Sequence, residues 1–235
     1  MLGKLVEILF AVLLVAGVPV LSFVTARRAD LRLLPRLDLY LSAALSQWLL
    51  ASLGVLVVVT VGPGLRAIGF GAVGFGPMVR WAVVLTVVSL AALGLVVSLE
   101  RRNWLPDEAD LVRLLIPRTP RERLLAVLFL APTAALCEEF LYRGFLLREI
   151  LGWWGSPSLA WVVSSLAFGL AHAYQGSSGM ARAALLGAFL ALPVVRLGSL
   201  YPSIVAHFLI DVVALAWLGP WLLRHDVHRV GGGGP

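Results

Sequence analysis

A single cysteine, Cys137, leaves this chain unable to close an internal disulfide or to build a cysteine-based zinc cluster. Charge is scarce as well. Only 14% of the 235 residues are Asp, Glu, Lys or Arg, against 60% hydrophobic. That excludes an ordinary soluble domain, which is nearer half apolar and a quarter charged. Short alternating segments are missing, which excludes a transmembrane β-barrel. No His-Glu-x-x-His zinc motif, P-loop or Gly-x-Ser-x-Gly elbow occurs. The net charge of +6 would hint at nucleic acid in a soluble protein. Here the arginines gather in loops between apolar runs, where they set topology and meet anionic headgroups. Membrane lipids are therefore expected as partners and nucleic acid is not.

What is abundant is apolar sequence in runs of about 20 residues, the length that crosses about 30 Å of hydrocarbon. Seven spans are read, at 5–25, 39–61, 78–99, 121–150, 157–175, 179–197 and 200–223. The expected fold is all-α, a polytopic bundle of seven or eight helices. Its N-terminal helices and an amphipathic linker run over 1–120, a helical core over 121–223 and a flexible tail over 224–235. Gly62-Pro63-Gly64 and Gly74-Phe75-Gly76-Pro77 are turn chemistry. Ser156-Pro157 reads as an N-cap followed by proline at the first helical position. Pro132, inside the fourth span, should bend it and free a backbone carbonyl. Leu111, Leu114 and Leu115 predict the buried face of a short helix on the membrane surface within 106–118. The first span is long for a signal peptide, and Thr25-Ala26-Arg27 is a poor cleavage site. Arg148 and Glu149 are expected at the membrane surface, and Trp153-Trp154 as an interfacial anchor. Arg27 to Arg36, Arg101 to Arg123, Arg182, Arg224 and Arg229 fall on one side, and Lys4, Arg66, Arg80, Arg148 and Arg196 on the other. The richer side should be cytoplasmic, with the N-terminus outside, as in a bacterial plasma membrane protein.

Within these spans lie a few ionisable side chains, each costing at least a few kcal/mol there and so expected to work. The fourth carries Glu138-Glu139-Phe-Leu-Tyr-Arg143. Glu139 and Arg143 are four apart and can pair. Glu138 is turned about 100° away, the carboxylate left for general-base work. The fifth carries Phe168 and, four residues on, His172; the last carries His207 and Asp211, again four apart. One glutamate, two histidines and one aspartate would converge on one cavity from three helices. Such a set suits activation of water and stabilisation of a tetrahedral intermediate, with or without a metal. Each piece alone has a plainer reading: a buried ion pair, a packing histidine, an interhelical hydrogen bond. Phe168 is expected to shape the pocket. Asp107, Glu108 and Asp110 read as a solvated loop run, and His225, Asp226 and His228 as a polar tail.

These three motifs, in this order, resemble those of the CPBP family of intramembrane proteases. That group comprises the type II CAAX prenyl endopeptidases (Rce1-like) and the bacteriocin-processing or immunity (Abi) proteins. Glu138-Glu139-Phe-Leu-Tyr-Arg143 matches Glu-Glu-x-x-x-Arg, Phe168-Gly-Leu-Ala-His172 matches Phe-x-x-x-His, and His207-Phe-Leu-Ile-Asp211 matches His-x-x-x-Asn/Asp. The resemblance covers about 121–218. It implies that Glu138 and His172 activate the attacking water, that His207 and Asp211 stabilise the oxyanion or hold a metal, and that Glu139 and Arg143 support the site. Zinc, if bound, would sit on His172, His207 and Asp211; a metal-free glutamate mechanism is also implied for prenyl-protein members. Asp211 stands where asparagine is commoner, and an ionised aspartate cannot donate to an oxyanion, so Asp211 is expected to be protonated, to orient His207 or to ligate a metal.

The resulting expectation is an intramembrane endopeptidase acting on a membrane-associated protein or peptide, a prenylated CAAX protein being one option. A transporter or proton relay is the first alternative, and a non-catalytic immunity or scaffold protein the second.

Overall fold

A computed structural model describes residues 1–102, 104 and 110–219. Asp107, Glu108, Arg224, His225, Asp226, His228, Arg229 and the glycine-rich end therefore lie outside the described residues. In lipid, every backbone N–H and C=O must be bonded within its own segment, so long apolar runs fold as helices. Among the described residues there are eight: α1 Leu2–Ala26, α2 Arg36–Thr60, α3 Phe75–Arg101, α4 Asp110–Leu115, α5 Pro120–Trp154, α6 Pro157–Ala171, α7 Gly176–Leu197 and α8 Tyr201–Leu218. The chain is an all-α, multi-pass integral membrane protein. Six helices are long and apolar enough to cross a bilayer. The expected fifth span is shorter than read. Its helix stops at Ala171 after 15 residues, about 22 Å of rise and short of the hydrocarbon thickness.

Local chemistry sets the ends of the elements. Thr119 and Glu122 form a reciprocal capping box at the start of α5, with Pro120 in its first turn. Ser156 Oγ accepts from the Leu159 N–H at 3.3 Å and starts α6, as the Ser-Pro pair predicts. Gly155, at φ +65°, makes the left-handed turn between the two helices.

α5 is the central element, packed against α2 and α8 and joined through its last turns to α6. It is not a uniform α-helix. Ala126–Leu130 and Glu139–Leu146 are π-helical. The first widened turn lies just before Pro132, where a residue that cannot donate is accommodated. The second coincides with the Glu-Arg motif, the setting in which π-bulges often mark function.

Two peripheral segments are tied to the bundle. Glu149 is buried, with the Lys4 ammonium 3.8 Å from it and 2.5 Å from buried Glu7. An exposed cation reaching over from α1 thus replaces water as the partner of both carboxylates. The end of α4 is tied inward. Tyr40 Oη donates to the Leu115 carbonyl at 2.8 Å and Arg36 Nε to that of Ile116 at 3.2 Å. Val112, Leu115 and Ile116 then form part of a cavity wall.

Candidate active site

α5 delivers three charged side chains in two directions. Glu139 and Arg143 point into the sealed core, their side chains 0% and 1% exposed and their Oε1 and Nη1 atoms 3.1 Å apart. The i→i+5 bonding of this stretch brings residues four apart close to a full turn, so the pair stacks along the helix. The Arg143 guanidinium also lies 3.9 Å over the Phe168 ring of α6, a cation–π contact that helps hold a buried cation. Gly187 of α7 makes room for both. A Cβ there would stand 3.1 Å from Arg143 Nη2 and 3.2 Å from the Phe168 ring.

Glu138 faces the other way, into a cavity of about 310 Å³ between α2, α3, α5, α7 and α8. His172 caps the end of α6. Its Nδ1 lies 2.8 Å from the Phe168 carbonyl; because a carbonyl only accepts, Nδ1 carries a proton, and whenever the ring is neutral its Nε2 is bare. That Nε2 is 3.9 Å from Glu138 Oε2. His207 of α8 places its own Nε2 3.8 Å from the same Oε2. Asp211, one turn on, lies with Oδ2 3.7 Å from His207 Nε2 and also lines the cavity. Glu138 of α5, His172 at the end of α6, and His207 and Asp211 of α8 thus line one cavity.

One relationship differs from the sequence reading. The carboxylate that orients His207 is Glu139, whose Oε1 accepts from Nδ1 at 2.8 Å. Asp211 is too distant for a hydrogen bond to the ring. Spacing along α8 suggested His207 with Asp211, but the partner that wins comes from across the bundle, where Glu139 is buried and needs a donor.

Sequence reasoning missed Gln47. This α2 residue donates from Nε2 to Glu138 Oε1 at 2.7 Å. The signal was a lone amide in the middle of an otherwise apolar span. The rest of the cavity is mostly aliphatic, with Leu93, Val97, Leu186, Phe189, Leu215 and Leu218 among its walls. Arg182 also lines it and lies 3.5 Å from Glu100.

Two acids and two imidazoles on the wall of one cavity invite a test for a metal. Among the described residues no three His, Cys, Asp or Glu side chains are grouped to hold an ion. The Nε2 and carboxylate atoms stand 3.7–3.9 Å apart, and His207 Nδ1 is committed to Glu139.

The segment that builds this site matches a known family. Residues 120–213 match the model of the type II CAAX prenyl endopeptidase Rce1-like family. That segment is similar to an Rce1-like domain. All seven predicted site residues fall inside it, and Gln47 falls outside. No curated protein and no solved structure matches the chain. The Rce1-like domain ties the chain to proteases at the level of the family.

Proposed function

We propose that the protein is an intramembrane endopeptidase of the CAAX-protease type, cleaving a peptide bond in a membrane-associated protein or peptide. One observation carries the reading: two imidazole Nε2 atoms face the same Glu138 oxygen at 3.8 and 3.9 Å on the wall of a cavity. Contacts of that length between polar groups are ones a water bridges well.

In the proposed reaction a water at this triangle donates to Glu138 Oε2 and to the bare His172 Nε2. As its oxygen attacks the substrate carbonyl carbon, Glu138 takes the proton as general base, assisted by His172. The carbonyl π electrons move to oxygen, and the resulting oxyanion faces His207. That ring, fixed through Nδ1 by Glu139, donates from Nε2 in its protonated form, the preorganised donor such an intermediate needs. Asp211, near the same Nε2, offsets the charge of the ring. Collapse of the intermediate breaks the C–N bond, and the proton held by Glu138 passes to the leaving amine. The products are a new amine and a new carboxylic acid, which gives the water's second proton to His172 Nε2 and leaves as a carboxylate. Glu139 and Arg143 hold His207 in place without touching substrate.

The aliphatic walls of the cavity suit a lipid chain on the substrate, which supports a prenylated peptide; an unmodified, bacteriocin-like peptide is the other candidate. The arginine-rich loops are proposed to face the cytoplasm across a bacterial plasma membrane.

The test is reconstitution in liposomes with internally quenched CAAX peptides, farnesylated and unmodified, and mass spectrometry of the products. Cleavage at one bond, faster with the farnesyl group, is expected. No cleavage of either peptide, with proton flux across the same vesicles, would replace the protease with the transporter reading.

A further inference from the structure

Gln47 sits in α2, more than seventy residues before the matched segment begins. Its neighbour shows how it is aimed. Trp48 Nε1 donates to Thr133 Oγ1 at 3.1 Å, and Gln47 Nε2 donates to Glu138 Oε1 at 2.7 Å. Two consecutive residues of α2 thus grip two positions of α5 five residues apart. Two turns further on, Gly54 lets α2 come in close, since a Cβ there would stand 2.8 Å from the Phe140 ring and 3.0 Å from the Phe10 ring. These two contacts, one and seven residues after Gln47, set the register between the two helices.

The amide is not held by its other end. Gln47 Oε1 is buried with no hydrogen-bond partner, a cost the fold accepts at this site. What orients the amide is the charge-assisted bond to the carboxylate, roughly twice as strong as a neutral one.

This asymmetry matters because the two oxygens of a carboxylate are chemically equal and its terminal torsion is soft. The Gln47 donor removes that equivalence. Oε1 is occupied, and Oε2 is the oxygen left facing His172 and His207. We propose that Gln47 is a positioning residue, supplied by the N-terminal helices, that pins Glu138 with Oε2 as its proton-accepting oxygen. Its kinetic consequence rests on the protease reading above; the Gln47–Glu138 bond itself does not.

Two measurements test it. Gln47 and Gln175 are the only glutamines in the chain, so protein labelled with side-chain ¹⁵N-glutamine in micelles gives two amide signals. Gln47→Met assigns them. One Gln47 amide proton is expected downfield of a free amide, moving upfield in Glu138→Ala while the Gln175 signal stays in place as the control for folding. Identical Gln47 signals in the two proteins would overturn the proposal. With the farnesylated peptide as probe, Gln47→Met should lower kcat about 10- to 100-fold with KM within about twofold, the size expected for misplacing a catalytic group. A kcat within twofold of wild type, or a loss wholly in KM, would overturn it as well. Failure of the wild-type protein to cleave the probe counts against the protease reading, and the amide signals then decide the Gln47–Glu138 coupling alone.

Discussion

His207 Nδ1 donates to Glu139 Oε1 at 2.8 Å, and Arg143 Nη1 lies 3.1 Å from that same oxygen. One buried carboxylate oxygen therefore joins α8 to α5 and balances the charge of a guanidinium sealed from water. The imidazole is held from its dry side while its other nitrogen meets the cavity. This division explains why the motif needs two adjacent acids: Glu139 organises the interior, and Glu138 meets the cavity.

Removing the cation should therefore damage the fold before it damages chemistry. Arg143→Met leaves Glu139 buried beside His207 without its guanidinium, a change of about 3–5 kcal/mol for a broken buried pair. Thermal unfolding in detergent should show a clearly lower midpoint than wild type. An unchanged midpoint would mean that this ion pair does not support the bundle.

Glu138 makes the opposite prediction. Glu138→Gln keeps the shape of the side chain and removes the base. Proteolysis of the farnesylated peptide should fall about 100-fold or more, the contribution expected of a general base, with the unfolding midpoint near wild type. Full activity of the variant in cells would instead point to the immunity or scaffold reading.

Packing between α6 and α7 holds His172 in place. Gly169 lies where a Cβ would stand 2.7 Å from Ala184 Cβ and 2.8 Å from the Met180 carbonyl oxygen. Backbone cannot yield as a side chain does, so Gly169→Ala should part the two helices and cost about 1–3 kcal/mol. Because Phe168 and His172 flank this contact, kcat should fall together with the unfolding midpoint.

Metal dependence is read directly. Dialysis against a chelator should leave peptide cleavage unchanged, and elemental analysis should find zinc well below one ion per chain. Stoichiometric zinc in wild type, lower in Asp211→Asn and needed to restore activity, would place an ion on His172, His207 and Asp211 and replace the metal-free steps.

Periodicity and residue type made the motif pairs legible. Glu139 with Arg143 follows from four-residue spacing, and so does His172 behind Phe168. His207 with Asp211 followed the same rule and met a stronger competitor, because a carboxylate across the bundle is invisible to spacing along one helix. Glu149 has its partner equally far off in the sequence: Lys4, near the start of the chain, lies 3.8 Å from it.

By itself the sequence determined that this chain lives in a bilayer as helices, since scarce charge and long apolar runs admit no other backbone arrangement. It also determined which few polar side chains had to find partners there. Tertiary structure decided the partners. A hydrogen bond depends on distances between helices, and only the packing of α2 and α8 against α5 brought Gln47 to one carboxylate and His207 to the other.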